Sequence, residues 1–200
     1  MTTCELYRYS PTHGHGSIGH NDIRRIVRLC LSLDNLISRT NSKEVPARKR
    51  NSHRRAQARL RQRIRNLVDE CHKKAALWFL RTFDVVIIPE FNGGAMSRRK
   101  GRKIGSKTVR QMLTWSHSRF RQRLTFKAEE LGKKVVFVSE AWTSKTCSSC
   151  GWVDAKLGGR KVFRCRGCGL VIDRDVNGAR GIFLRALRDG AILFRGDTSG

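Results

Sequence analysis

Cys147-Ser148-Ser149-Cys150-Gly151 and, after 14 intervening residues, Cys165-Arg166-Gly167-Cys168-Gly169 are the most restrictive words in this chain. Two C-x-x-C pairs at this distance supply four thiolates that can close a tetrahedral site at Zn–S distances of ~2.3 Å. Gly151 and Gly169 follow the second and fourth cysteines, where tight turns point amides at sulfur. The alternative, a pair of disulfides, belongs to secreted chains. Met1 to Ser10 lacks the charged-then-apolar pattern of a secretory signal. The spacing therefore predicts a structural Zn²⁺ held by Cys147, Cys150, Cys165 and Cys168. With four cysteine ligands no place is left for a catalytic water, so this metal holds a fold and performs no chemistry. Cys4, Cys30 and Cys71 read as core thiols.

Around this module the composition is strongly one-signed. Among 200 residues, Lys and Arg number 42 against 16 Asp and Glu, a formal charge of +26. Such an excess costs self-repulsion and points to a polyanionic partner, DNA or RNA, although a solvated basic surface is the plain alternative. Hydrophobic residues make up 39% of the chain, enough for a core, so wholesale disorder is excluded. No apolar run approaches the ~20 residues of a membrane helix. The expected setting is an intracellular, reducing compartment. Nothing points to a small-molecule substrate.

Upstream, Thr3 to Tyr9 alternates weakly as a strand, and Ser10-Pro11-Thr12-His13-Gly14 supplies a turn. His13, His15 and His20 read as loop residues. Asn21-Asp22 offers a cap for a helix to about Arg39, with Ile23, Ile26, Val27, Cys30, Leu33, Leu36 and Ile37 inward. A longer helix follows from about His53 to Arg81. Leu60, Ile64, Leu67, Cys71, Ala75 and Trp78 make its apolar stripe, and Arg54, Arg55, Arg59, Arg61, Arg63 and Arg65 are expected opposite. That arginine face suits a phosphate backbone, though charge runs also form solvated faces.

Val85-Val86-Ile87-Ile88 changes the period to that of a buried strand and ends in Pro89-Glu90-Phe91 and a Gly turn. An acid at the carboxyl end of a buried strand lies where α/β sheets build sites. Met96 to Lys107 is a basic loop whose Arg98, Arg99 and Lys100 are candidate nucleic-acid contacts. A third helix, about Thr108 to Leu131, points Val109, Met112, Leu113, Phe120, Leu124, Ala128 and Leu131 inward, with Gly132 as C-cap. Val135 to Val138 is a second buried strand. After the cysteines, Asp173-Arg174-Asp175-Val176-Asn177-Gly178-Ala179 opens a last helix. Carboxylates there are often only caps.

The order of these words resembles the TnpB-type transposon-encoded nucleases, a group that includes the Fanzor relatives of eukaryotes and viruses and the type V CRISPR effectors. The resemblance rests on Val85 to Phe91, Thr125-Phe126-Lys127-Ala128, Thr143 to Gly151, Cys165 to Gly169 and Asp173 to Arg180, and covers about residues 3 to 188. The Ser10-Pro11 turn and the helix over Arg24 to Asp34 lie closer to the Fanzor branch. The resemblance implies an α/β, RNase H-like (RuvC) mixed sheet flanked by helices, with an inserted zinc ribbon. It implies RNA-guided DNA cleavage by three carboxylates and Mg²⁺. Glu90 matches the second acid and Asp175 the third, with Asp173 as the lesser candidate. Residues 1–140 would then be a RuvC-like core, 141–172 the ribbon, 173–190 the last RuvC helix and 191–200 a tail.

One part of the pattern is missing. The family's first acid lies in an apolar-apolar-Asp-x-Gly strand upstream of the stretch matched by Thr3 to Ser10, and no Asp precedes Asp22. The expectation is a core lacking its first strand and an endonuclease that is impaired or inactive. A non-catalytic, zinc-stabilised nucleic-acid-binding protein is the competing expectation. A ribosomal or transcription-factor zinc ribbon would leave Glu90 and Asp175 unexplained. DNA, with guide RNA in the family, is the expected partner, and the nucleus the expected site in a eukaryotic or viral setting.

Overall fold

The computed structural model describes residues 6–18, 20–42, 44–90 and 105–192. Arg98, Arg99, Lys100 and Cys4 lie outside the described residues. Strands β1 (Leu6–Ser10) and β2 (Gly14–Ile18) form an antiparallel hairpin in which Leu6 pairs with Ile18 and Ser10 with Gly14. Gly14 closes the turn at a φ of 65°, and the Ser10 hydroxyl accepts the His13 amide at 3.3 Å. His15 is therefore a strand residue, opposite Tyr9, and not part of a loop.

Helix α1 (His20–Asn41) starts two residues earlier than expected, so Asp22 sits in its first turn and acts on the helix dipole instead of capping. Helix α2 (Ala47–Thr82) starts directly after Pro46, six residues before the expected His53. Proline imposes a helix-compatible φ and has no N–H to leave unpaired, so it suits a helix start. The two helices pack as a hairpin through Ile26, Ile64 and Val68, with Leu33, Leu67 and both thiols, Cys30 and Cys71, beside them. Burial pushes the Cys71 thiol up to about 11, as befits a core sulfur. Near the loop that closes the hairpin, the buried Gln57 side chain donates to the Thr40 hydroxyl at 2.8 Å, and Thr40 donates on to the Leu36 carbonyl at 2.6 Å.

The buried side of α2 differs from the expected stripe. It runs through Gln57, Ile64, Val68, His72, Ala75, Ala76 and Leu80, while Trp78 is 39% exposed. The helix serves two neighbours: its first half covers α1, and its second half turns toward the sheet layer. One stripe cannot face both.

Strands β3 (Val85–Pro89) and β4 (Lys134–Val138) are parallel, with Ile87 opposite Val136. Between them in sequence, the expected third helix is broken into α3 (Ser106–Trp115) and α4 (His117–Glu130) by Ser116, whose φ is 52°. The break turns Leu113 outward to 61% exposure, and Leu131, past the helix end, is also exposed. Both were expected inside. Gly132 does close α4, at a φ of 62°, with Lys133 donating back to Ala128 at 2.8 Å.

Pleat alternation gives the parallel pair two covered faces. Val86, Ile88 and Val135 pack with Ala75, Ala76 and Leu80 of α2 and Phe120, Leu124 and Ala128 of α4. Ile87, Val136 and Val138 pack with Ile182 and Ala186 of the last helix, α5 (Arg174–Arg188). Helix α5 also meets the hairpin, where Phe183 contacts Tyr9 at 5.5 Å. The expected single mixed sheet is not joined among the described residues: antiparallel β1–β2 and parallel β3–β4 are separate two-stranded pieces. The third pair, β5 (Val162–Arg164) with β6 (Val171–Asp173), belongs to the cysteine module, whose small core is Cys147, Leu157, Phe163 and Cys165.

Candidate metal centre and the carboxylate end of the sheet

The four predicted thiols come together. The Sγ atoms of Cys147, Cys150, Cys165 and Cys168 all lie within 4.8 Å of one another. Cys147 and Cys168 are 3.7 Å apart and Cys150 and Cys165 3.5 Å. A tetrahedron with Zn–S bonds of ~2.3 Å has edges of about 3.8 Å, so the donor set fits zinc. Each knuckle is closed by a left-handed glycine, Gly151 at a φ of 79° and Gly169 at 76°. The amides of Gly167 and Cys168 donate to the Cys165 sulfur at 3.3 and 3.4 Å. Burial pushes the Cys165 thiol up, but these amides and its thiol neighbours outweigh that and bring it down to about 7.

The knuckles are fastened to α5 by one side chain. Asn177 is fully buried; it accepts the Ser148 amide at 3.1 Å and donates to the Thr146 carbonyl at 2.8 Å. Sequence reading missed this residue, because an Asn in the first turns of a helix looks like a cap. Two turns of α5 are pressed against the strand-to-knuckle segment. A Cβ at Gly181 would stand 3.1 Å from the Thr143 carbonyl oxygen, whereas one at Gly178 would meet Ser144 at 3.6 Å. Gly181→Ala should therefore lower stability by about 1–3 kcal/mol. Gly178→Ala should be neutral or stabilising by up to ~1 kcal/mol through helix propensity. Urea midpoints of the two variants check this contrast.

The acids gather at one end of the parallel strands. Glu90 follows β3 directly, and its amide donates to the Val138 carbonyl at 2.8 Å. Helix α5 runs antiparallel to the strands. Arg185 donates to the Ser139 carbonyl, Gly181 faces Thr143 and Asn177 reaches Thr146, so the helix start projects past the strand ends. Ile87 and Ile182 share a cluster. From it, Glu90 lies about 10 Å onward along β3 and Asp175 about 10 Å back along α5. Both carboxylates are thus at the same end of the layer.

Their faces differ. Continuing the pleat of β3 puts Glu90 on the side of Val86 and Ile88, toward α2 and α4. The alternation of Val136 and Val138, carried on past the end of β4, would put Glu140 on the side of α5. Burial pushes the Glu140 carboxyl up. Sequence reading missed Glu140, although Val135-Val136-Phe137-Val138-Ser139-Glu140 repeats the buried-strand-then-acid pattern that singled out Glu90.

Asp175 is 42% exposed, and one of its oxygens takes both bonds from the buried Arg174 guanidinium, at 3.1 and 3.3 Å. Asp173, the lesser candidate, is spent as the N-cap of α5: its Oδ1 accepts the Asp175 and Val176 amides at 2.8 and 3.2 Å. Among the described residues, the thiols are the only group in which three or more potential ligands converge. Oxygen donors suit Mg²⁺, which is commonly held by one or two carboxylates, waters and substrate phosphates. The acids present fit that partial role and not a closed cage.

The six candidate arginines of α2 are all exposed, but they do not share one face. Arg55, Arg59 and Arg63 lie opposite the buried line. Arg54, Arg61 and Arg65 run beside it, with Arg61 donating to Gln57 at 3.2 Å. The expectation of a single opposite face is corrected: at 3.6 residues per turn, these spacings generate two rows.

Residues 117–182 match the family of Cas12f1-like TNB domains. A putative transposase of Paramecium bursaria Chlorella virus 1 is 37% identical over 166 residues, 83% of this chain and 36% of that protein. The chain belongs to the TnpB-type family. A TnpB-like protein of Acanthamoeba polyphaga mimivirus is 35% identical over 126 residues, which cover 63% of this TnpB-type chain and 24% of that protein. The match thus spans only a quarter to about a third of these viral relatives. Among solved structures, a Cas12f1–sgRNA–target DNA complex seen by cryo-electron microscopy superposes with a TM-score of 0.55 at 18% identity. That superposition covers 86% of this chain and 44% of the other, and establishes a shared mixed α/β fold. No described helix is long and apolar enough to cross a membrane.

Proposed function

We propose that this TnpB-type chain is the RuvC-like, RNase H-fold portion of an RNA-guided DNA endonuclease, with residues 141–172 as an inserted zinc ribbon and 173–190 as the last RuvC helix. What supports the reading is that the ends of β3 and β4, followed by Glu90 and Glu140, and the start of α5, which carries Asp175, lie at one end of the parallel pair. Asp175 and an acid from a strand end would hold Mg²⁺. When bound, that ion would neutralise the phosphate and promote attack by water on a phosphodiester. Resemblance favours Glu90 as the partner of Asp175, and the face it shares with α5 favours Glu140. The nucleus is the corresponding site of action in a eukaryotic or viral setting.

The 200 residues hold two of the three acids that the resemblance implies. The test is Mg²⁺-dependent nicking of single-stranded and duplex DNA. Asp175→Asn should lower the rate by about 10²-fold or more, the scale of losing one charge-stabilising group. A comparable loss in Glu90→Gln but not Glu140→Gln assigns the second ligand by resemblance, and the reverse assigns it by face. Nicking that survives Asp175→Asn sinks the reading.

A second reading is a non-catalytic, zinc-stabilised nucleic-acid binder. It is favoured by the Arg174 guanidinium that already neutralises one oxygen of Asp175. Salt-sensitive DNA binding without any nicking would support it.

A further inference from the structure

From the surface of α2 we infer that its N-terminal half is a duplex-DNA reader, a helix that enters the major groove with an arginine row against each backbone. The inference rests on the polyanion-binding part of the proposed function and not on its chemistry. At 3.6 residues per turn, Arg54, Arg61 and Arg65 cluster on one line, and Arg55, Arg59 and Arg63 on another about 140° around the axis. The rows are about 17 and 12 Å long at 1.5 Å per residue. Between them lie Asn51, Ala58 and Gln62, all exposed and uncharged. The opposite side of this stretch is taken by α1 through Ile64, Val68 and Leu67, so the two-rowed side is the one turned outward.

Three features of this face select its partner. None of Arg54, Arg55, Arg59 or Arg63 makes an ion pair among the described residues, so no described acid compensates their charge. Residues 47–66 contain no Phe, Tyr or Trp, so the face lacks the stacking platforms by which proteins hold single strands. A helix about 10–12 Å across matches the ~12 Å major groove of B-DNA, whereas the A-form major groove is too narrow to be read. The rows then meet phosphates on both walls, and Asn51 and Gln62 point at the groove floor, where an amide side chain can pair with adenine. Gln62 is preset by bonds to Asn66 at 2.7 Å and from Arg65 at 2.7 Å.

Fluorescence anisotropy of the full chain on labelled DNA duplex, the matching single strand and the matching RNA duplex, each titrated with salt, tests this. Two triple variants are used: Arg54→Gln, Arg61→Gln and Arg65→Gln together, and Arg55→Gln, Arg59→Gln and Arg63→Gln together. Each should reduce the slope of log affinity against log salt on duplex DNA by about 2.7, at ~0.9 per phosphate contact. Between 50 and 200 mM salt, each variant should therefore lose about 40-fold less affinity than the parent. The corresponding Arg→Lys triples should restore the slope, separating charge from misfolding. If either Gln triple leaves the duplex slope intact while the parent binds salt-dependently, the two-row clamp is wrong and DNA binding lies elsewhere. Equal binding of single strand or RNA duplex would also overturn it. No salt-dependent binding at all would remove the DNA-binding part of the proposed function as well.

Discussion

Withdrawing zinc from Cys147, Cys150, Cys165 and Cys168 is expected to unfold residues 143–173 while the α1–α2 hairpin survives. The ribbon's own core is four buried residues, two of them the thiols Cys147 and Cys165. Such a core is too small to offset the chain entropy of the ribbon. Zinc binding in comparable small modules supplies apparent free energies of about 10–16 kcal/mol. Loss of the ribbon also strips Asn177 of both its partners, leaving a buried amide unpaired and loosening the start of α5. Hydrogen exchange with and without a strong zinc chelator reads this directly. Amides of residues 143–180 should lose protection, and those of α2 between Ile64 and Leu80 should keep it. A chelated protein whose ribbon amides stay protected would show that the thiols do not depend on metal.

Acidification from pH 6.5 toward 4 should destabilise the helical layer by several kcal/mol. His72 is fully buried, with its ring edge-on to Trp115 at 4.8 Å and tilted against Phe120 at 5.3 Å. Burial, reinforced by the Arg123 charge and only partly opposed by Asp69, brings its pKa down to about 4. His117 is likewise brought down to about 4 by burial. Unfolded, both bind a proton near pH 6.5. Below that value the unfolded chain holds more protons than the folded one, so stability is complete above pH 6.5, falls as pH drops, and levels out near pH 4. Each histidine contributes a loss of about 2 kcal/mol by pH 5. Urea unfolding at pH 7.5, 6 and 5 measures the slope. His72→Phe should remove one of the two protons from it, even if the larger ring alters absolute stability. An unchanged slope would mean that His72 is solvated in the folded state.

Much of the molecule follows from local rules. The knuckles were legible because ligand spacing and left-handed glycines are properties of a few consecutive residues, and the four thiols converge as the spacing demands. The same holds for Val85 to Ile88 and Val135 to Val138, whose unbroken apolar runs mark buried strands. Family membership was carried by these short words and is supported by the match over residues 117–182.

The errors fall where distant elements decide. The stripe on α2 was misread because the helix changes neighbours along its length, from α1 to α4 and β3. The third helix was read as continuous because Ser116 carries no local signal for a left-handed turn, yet packing Trp115 against Ile23 on one side and Phe120 into the sheet layer on the other requires a bend there.

By itself, then, the sequence determined which short segments gather the four thiols, which are buried strands and that the chain is strongly basic, because each is a matter of residue type and spacing over one or two turns. Only the tertiary structure decided that Asp173 is a cap, that Ile87 faces α5 while Ile88 faces α2 and α4, and which side of α2 is covered by α1. Those outcomes depend on pleat direction, helix phase and which neighbour covers which side, and chain-distant contacts set all three.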